Sequence, residues 1–433
     1  EIMKLSPATR LNEMQKKLTT VLDNVRASVE DWQAMRSQVL DVINEMKLRV
    51  TAKNAEELNE AQDFLQWAHD NNFTFLGYRE YDFTGTGAKA KVRINPKSGL
   101  GVLRESKCIV LKELRHMEMI PPEVRAFIRR PDPVVISKAD VRSTVHRTVM
   151  MDTIAVKKFD KSGKVVGERL IVGLFTSVAY SSSPKSIPFL RRKIDTVIAR
   201  AGFAPASHDG KALAHILETY PRDELFQIQE DDLLDISMGI LHLQERQRVA
   251  LFTRWDNFGR FLSCLVFIPR DRFTTSLRLK IQDLLAASFN GEVSFFNTEF
   301  GDAPLARLHI VVGTPGGLNK RISISKVEAE LAEVAQSWSD QLKGELVAAH
   351  GEDVGSQLSS SYGNAFPVNY QENFNAAVAI DDISRLEQVV EGDDLNLYFY
   401  QPDNAVGSKV RFKVFHPDVP LPLSDVIPML EDM

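Results

Sequence analysis

The sequence predicts a multidomain α+β protein, with antiparallel sheets, helices packed beside them and helical linkers between. Three observations point there. The 433 residues exceed what one core organises, since domains usually hold about 100–200 residues, so two to four domains are expected. Strand patterns come in blocks joined by hairpin turns rather than in a regular βαβ series, the mark of antiparallel pairing. A unit of hairpin, proline and apolar helix occurs twice in the second half, and repetition of a supersecondary unit signals repeated modules.

Along the chain, Pro7 to about Met46 lacks internal Gly and Pro, and Leu11, Met14, Leu18, Val21, Leu22 and Val25 recur at the three-four spacing of an amphipathic helix. Leu11, Leu18 and Val25 also fall at heptad spacing. That stripe suits a neighbouring module or an interaction partner. Thr51 to His69 repeats the helical pattern, and Asn71-Asn72 breaks it. Residues 1–54 form an opening helical segment. A strand-rich block follows: Phe73 to Tyr81, Lys91 to Ile94, Gly101 to Leu103, and a hairpin of Thr148 to Phe159 with Val165 to Phe175 across Asp160-Lys161-Ser162-Gly163. Residues 55–180 therefore read as a small sensor-like α+β domain. Residues 181–245 return to helical spacing and read as a connector.

The third block reads strand (Arg248–Trp255), strand (Arg260–Ile268), helix (Phe273–Phe289), strand (Glu292–Glu299), strand (Pro304–Val312) and helix (Ser325–Ala349). This βαββα order with an extra leading strand predicts a ferredoxin-like domain over residues 246–350. A linker with short helices spans 351–392. From 393 to 433 the unit begins again: Leu395 to Tyr400 and Lys409 to Phe415 form a hairpin ending in Val-Phe-His-Pro, as the first copy ends in Val-Phe-Ile-Pro, and LSDVIPMLEDM follows where LRLKIQDLL follows the first. The second copy stops at Met433, short of the strands it should have, so the natural chain is expected to continue.

Composition limits the function classes. The hydrophobic fraction of 44%, the charged fraction of 26% and 24 Phe are globular values. With 53 basic against 58 acidic residues and a formal net charge of −5, no general cationic field invites nucleic acid or an anionic membrane. No apolar run approaches the ~20 residues that cross a bilayer, and no signal-peptide core is present. The two cysteines, Cys108 and Cys264, lie in apolar strand-like runs and read as buried hydrophobes in a reducing compartment. The expected location is the cytoplasm.

Motifs that carry chemistry are absent. There is no G-x-x-x-x-G-K-[ST], no G-x-G-x-x-G between a strand and a helix, no H-E-x-x-H and no G-x-S-x-G. A metal site is not expected, because His208 and His215 are two helical turns apart, roughly 10 Å. Ser207-His208-Asp209 imitates a triad, and a hydrolase using His208 and Asp209 is one reading, but adjacent residues rarely form a relay. Two polar groups remain. Arg142, His146, Arg147 and Asp152 could contact an anion or a subunit interface, or be surface ion pairs. Arg270, Asp271 and Arg272, between a strand and the Phe273 helix, suit an anionic effector, since helix-start N–H groups and guanidinium groups bind carboxylates. An Asp at a helix start also serves as a plain cap.

FLQWAHDNNFTFLGYREYDF (64–83), RSTVHRTVMMDTIAVKKFD (142–160), SHDGKALAHILETYPRDELFQI (207–228), FGRFLSCLVFIPRDRF (258–273), ARLHIVV (306–312), YGNAFPVNY (362–370) and PLPLSDVIPMLEDM (420–433) closely resemble the amino-terminal half of the large bacterial NAD-specific glutamate dehydrogenases. The resemblance implies a PAS-like module at about 55–180, ACT-like modules at about 246–350 and from 393, and a longer polypeptide whose catalytic domain oxidises L-glutamate to 2-oxoglutarate and ammonia with NAD. It implies that NAD is the cofactor of that parent enzyme, with no cofactor and no catalytic residue in this segment. The implied partners are the chain's own catalytic domain and other subunits of a homo-oligomer, with an amino-acid effector possible and the role regulatory. A passive scaffold without an effector site is the alternative.

Overall fold

The amphipathic run at the start folds as two helices, α1 (Leu11–Glu30) and α2 (Trp32–Lys47), separated at Asp31. They use their faces differently. Met35, Val39, Val42, Ile43 and Met46 of α2 are buried, whereas α1 buries only Ser28. The computed structural model describes all residues except 1–10, 50–53, 86–90, 106–121, 245–247, 302, 315–321, 393–394, 402–409, 418–421, 423, 425–426 and 429–433. Cys108, residues 402–409 between the two strands of the last expected hairpin, and most of the expected last helix lie outside the described residues. The chain forms two units, Glu1–Arg270 with Ile281–Glu328, and Asp271–Lys280 with Ala329–Met433.

In the first unit, α3 (Ala55–Trp67) ends in a π turn at Ala68–Asn72, where Asn71 takes φ 68°. Asparagine tolerates that left-handed region better than most residues. The strands β1 (Phe73–Thr84), β2 (Lys91–Ile94) and β3 (Leu100–Gly101), the helix α4 (Pro122–Ile128), and β4 (Val134–Arg142), β5 (Met150–Phe159) and β6 (Val165–Phe175) follow. The sheet runs β2-β1-β6-β5-β4, with β3 also beside β1, every pair antiparallel. The expected hairpin is β5–β6. Strand β4 went unread, because Ser137, Lys138 and Asp140 interrupt its apolar alternation and an irregularity lies between Lys138 and Arg142.

The connector holds α5 (Ser177–Ser181), α6 (Leu190–Ala201), α7 (His208–Glu218), α8 (Arg222–Gln227) and α9 (Glu230–Gln244). It is packed into the body. One core runs from Val39 and Phe64 through Phe73 and Phe175 to Leu190, Leu217, Phe226 and Leu241, and on to Ala250, Leu265 and Phe267. At its centre Phe175 of β6 and Phe226 of α8 stack with ring centroids 4.2 Å apart. Aromatic pairs of this kind add about 0.5–1.5 kcal/mol beyond area burial.

The next elements are β7 (Ala250–Trp255), β8 (Phe261–Pro269), α10 (Thr275–Ser288), β9 (Glu292–Glu299), β10 (Leu305–Gly313) and α11 (Ile324–Val334). The antiparallel order β7-β8-β10-β9 is the expected ferredoxin-like sheet, with the leading strand β7 occupying one edge. The second unit contains α12 (Trp338–His350), α13 (Glu352–Tyr362), α14 (Val368–Asn373) and α15 (Ala376–Glu391), then the hairpin β11 (Asn396–Tyr400) and β12 (Arg411–Phe415). Leu342, Leu346, Phe366, Ala379 and Ile383 form its core. The single helix expected from Ser325 to Ala349 is two helices, because Ser337 and Asp340 build a capping box that starts α12.

Candidate functional site

Two places in the molecule concentrate chemistry. The first is a buried polar seam inside the first unit. Lys138 of β4 donates to Asp152 of β5 at 2.6 Å and to Asp223 of α8 at 2.9 Å, and Tyr180 of α5 donates to the same Asp223 oxygen at 2.7 Å. Two carboxylates thus share one ammonium. Burial raises the Asp152 carboxyl to about 6 against the pull of Lys138. For Asp223 burial acts in the same direction, but Lys138 and Tyr180 outweigh it and hold the carboxyl low.

Next along α8, Glu224 accepts from Arg254 of β7 through both oxygens, at 2.7 and 3.0 Å, with the two side chains only 3% and 4% exposed. Burial pushes Glu224 up and Arg254 more than compensates. His309 of β10 lies 3.9 Å from Glu224 and bonds the Ser263 hydroxyl at 3.0 Å. Burial lowers its pKa, so the imidazole is neutral. Arg260, after the β7–β8 turn, donates to Asp256 at 2.7 Å, Lys138 O at 2.7 Å, Ser137 Oγ at 2.8 Å and Asp140 at 3.1 Å. The six-stranded sheet, α8 and the four-stranded sheet are therefore pinned to one another by ions.

The sequence-predicted group of Arg142, His146, Arg147 and Asp152 is distributed rather than gathered. Arg142 donates to Ser294 O at 2.8 Å, Arg147 donates to Phe175 O at 2.8 Å, and Asp152 sits inside the Lys138 cluster. His146 is exposed, with φ 63°. Sequence reasoning missed Lys138, Asp223, Glu224 and Arg254. The available signal was a charged residue at an inward position of a strand, which needs a partner.

The second place is a cleft of about 530 Å³ in the second unit, lined by Asp271, Arg272, Thr274, Lys280, Ser337 and Asp340 among others. It lies at the starts of α10 and α12. Arg272 meets Asp340 at 3.1 Å, and Asp340 is held below its usual range first by the Ser337 hydrogen bond. Cations, carboxylates and hydroxyls line one concavity, a set that suits a small zwitterion. Of the predicted triplet, Asp271 and Arg272 line the cleft, while Arg270 donates to Gly301 O at 3.1 Å and lies over Phe300.

Ser207-His208-Asp209 forms the first turn of α7. Ser207 Oγ accepts from Gly210 N at 3.0 Å and donates to Ala204 O at 2.6 Å, as a helix cap, and His208 and Asp209 are exposed. Among the described residues no His, Cys, Asp and Glu cluster could hold a metal ion, and no helix is long and apolar enough to cross a membrane. Cys264 is fully buried, which pushes its thiol far above the usual range.

Four family models match in sequence order: glutamate dehydrogenase helical motif 1 at residues 187–246, ACT2 domain at 250–339, helical motif 2 at 345–389 and ACT3 domain at 394–433. Together they take in more than half the chain, and both copies of the repeated hairpin unit fall in ACT matches. The whole chain is 37% identical to the NAD-specific glutamate dehydrogenase of Halomonas elongata and 34% identical to that of Pseudomonas aeruginosa. Over 99% of its length it is 28% identical to the Mycobacterium tuberculosis protein of the same description. The chain spans 27%, 26% and 26% of these relatives, about a quarter of their length. The periplasmic sensory domain of the Campylobacter jejuni chemoreceptor Tlp1, at 9% identity, 71% coverage of this chain and 99% of its own, has a TM-score of 0.15, too low to bear on the fold.

Proposed function

Because the chain belongs to the NAD-specific glutamate dehydrogenase family, we propose that it is a regulatory and assembly segment of such an enzyme, which oxidises L-glutamate with NAD to 2-oxoglutarate and ammonia. The cleft between the starts of α10 and α12 carries this reading. Its mixed charges fit an α-amino acid, with the carboxylate toward Arg272 and Lys280 and the ammonium toward Asp271. The antiparallel six-stranded sheet supports a PAS-like module at about 55–180 that serves as an interface.

The residues do not fit NAD. All described strand pairs are antiparallel, whereas dinucleotides bind at the switch point of a parallel sheet. The β8–α10 turn, Pro269-Arg270-Asp271-Arg272, has no glycine to admit a pyrophosphate. Hydride transfer therefore belongs to the part of the relatives that this chain does not span, and regulation acts on it from outside the reacting atoms.

A thermal-shift screen of the 433-residue chain against amino acids tests the effector role. Stabilisation that saturates with one amino acid is expected. No stabilisation by any of them leaves a passive scaffold. Glutamate-dependent NADH production by the pure chain would overturn the non-catalytic assignment.

A further inference from the structure

The cleft does not end at its own lining. Asp340 accepts from Arg272 at 3.1 Å, and the same oxygen, Oδ2, accepts from the Ser337 amide at 3.2 Å and the Ser337 hydroxyl at 2.7 Å. The atom that pairs with the cleft cation therefore also sets the first turn of α12. Trp338 lies in that turn. Its indole N–H donates to Phe374 O at 2.9 Å, at the end of α14, and its ring packs on Phe366 and Tyr370 with centroids 5.0 and 6.0 Å away. Tyr370 and Phe374 are in ring contact at 4.6 Å. From there the contacts reach the hairpin. Tyr370 donates to Asp382 of α15, Lys413 of β12 donates to the same Asp382 oxygen, and Lys413 and Arg411 lie over the Phe374 ring at 4.2 and 5.0 Å. Asp382 is 2% exposed, and in such a low-dielectric surrounding these bonds hold strongly.

We propose that this line of contacts carries the state of the cleft to the β11–β12 hairpin, the second copy of the repeated unit, with Trp338 as the positioning residue that joins the two. A carboxylate entering the cleft competes with Asp340 for Arg272. Asp340 then keeps only its capping bonds, the first turn of α12 re-aims, and the Trp338 bond to Phe374 O shifts with it. The far end has a second arrangement to move into: Tyr370 and Lys413 both bond Oδ2 of Asp382, which leaves the buried Oδ1 as an alternative acceptor for either. Coupling between separated sites requires an element of this kind, with two discrete arrangements.

The proposal rests on the amino-acid reading of the cleft for its trigger alone; the coupling is read without any ligand, so the two fail separately. Arg272→Ala frees Asp340 as a bound carboxylate would. Amide hydrogen exchange of the 433-residue chain should then quicken about fivefold or more in residues 396–400 and 411–415, with α9 of the first unit unchanged. Arg272→Lys, which keeps a cation beside Asp340, should restore the parent's exchange. Trp338→Phe retains a ring but removes the bond to Phe374 O, and adding Arg272→Ala to it should change the hairpin no further, a non-additivity that independent sites lack. If Trp338→Phe does not fold, Lys413→Met with and without Arg272→Ala gives the same cycle from the hairpin end. Exchange that quickens at residues 337–342 and stops short of the hairpin overturns the proposal. So does an Arg272→Ala effect that persists in full in the Trp338→Phe or Lys413→Met background, or exchange unchanged throughout.

Discussion

Replacing Arg254 with Met removes the cation from a pair whose side chains are 4% and 3% exposed. Glu224 is then left without a replacement. His309, at 3.9 Å, has its pKa lowered by burial and is a poor substitute for the guanidinium. Removing one partner of a buried pair costs about 3–5 kcal/mol, which for a unit of this size lowers the melting temperature on the order of 10 °C. The pH dependence also changes sign. In the parent, Arg254 keeps the Glu224 pKa below the ordinary 4.5, so the pair's contribution is present above that value and is lost as pH falls through the folded pKa. Without Arg254, burial, the largest influence, is opposed only by His309 and the Ser263 hydrogen bond, and it raises the carboxyl. Its contribution is then retained below 4.5 and lost as pH rises, so the deficit against the parent should be smaller at pH 5 than at pH 8. Calorimetry of the first unit's transition at both pH values measures this. Arg254→Met with Glu224→Leu should recover most of the loss, because no buried charge is stranded. A single variant within about 1 kcal/mol of the parent, or a double variant as unstable as the two singles summed, refutes the reasoning.

Asp152→Asn and Asp223→Asn should differ. The raised Asp152 carboxyl contributes below 3.8 and loses that contribution as pH rises through about 6, so Asp152→Asn should stay within about 1 kcal/mol of the parent at pH 7.5, whereas Asp223→Asn should lose about 2–4 kcal/mol; thermal melts that rank them in reverse would contradict the assignment. In the cleft, Arg272→Ala and Lys280→Ala should each weaken amino-acid binding about tenfold, while Arg270→Ala should change it less than about twofold, as titration calorimetry can read. Gly101 has φ +60° and an added Cβ would lie 2.1 Å from Leu76 O, so Gly101→Ala should cost more than about 1 kcal/mol, and an unchanged melting point would show that β3 relaxes freely.

What could be read from the sequence was whatever local pattern decides. Strands β5 and β6 announce themselves through alternation and an Asp-Lys-Ser-Gly turn, and the repeated hairpin unit was visible from two Val-Phe-x-Pro endings. The α11–α12 break was also there to read, in Ser337-Trp338-Ser339-Asp340, but unbroken helical spacing on both sides masks a capping box. The seam was not legible. Lys138 meets Asp152 across fourteen residues and Asp223 across eighty-five, and nothing in local spacing encodes a partner at that distance. The outward stripe of α1 illustrates the same limit from the other side. Its periodicity predicts an apolar face but not which way that face points, and here Ser28 and Asn24 anchor the helix by the polar side.

The seam also restricts where regulation can act. A ligand shifts an equilibrium only by its differential affinity for two states, typically about 1–3 kcal/mol. Moving the four-stranded sheet against the six-stranded sheet would separate Arg254 from Glu224 and Arg260 from Asp140 and Ser137, and would disturb Asp223 at Lys138. Each stranded buried charge costs several kcal/mol, and the shared core around Phe175 and Phe226 would open with them. An effector cannot supply that. The first unit therefore responds as one body, and under the proposed regulatory role the states that an effector distinguishes would differ in the cleft around Arg272, where Lys280 and Asp271 are exposed.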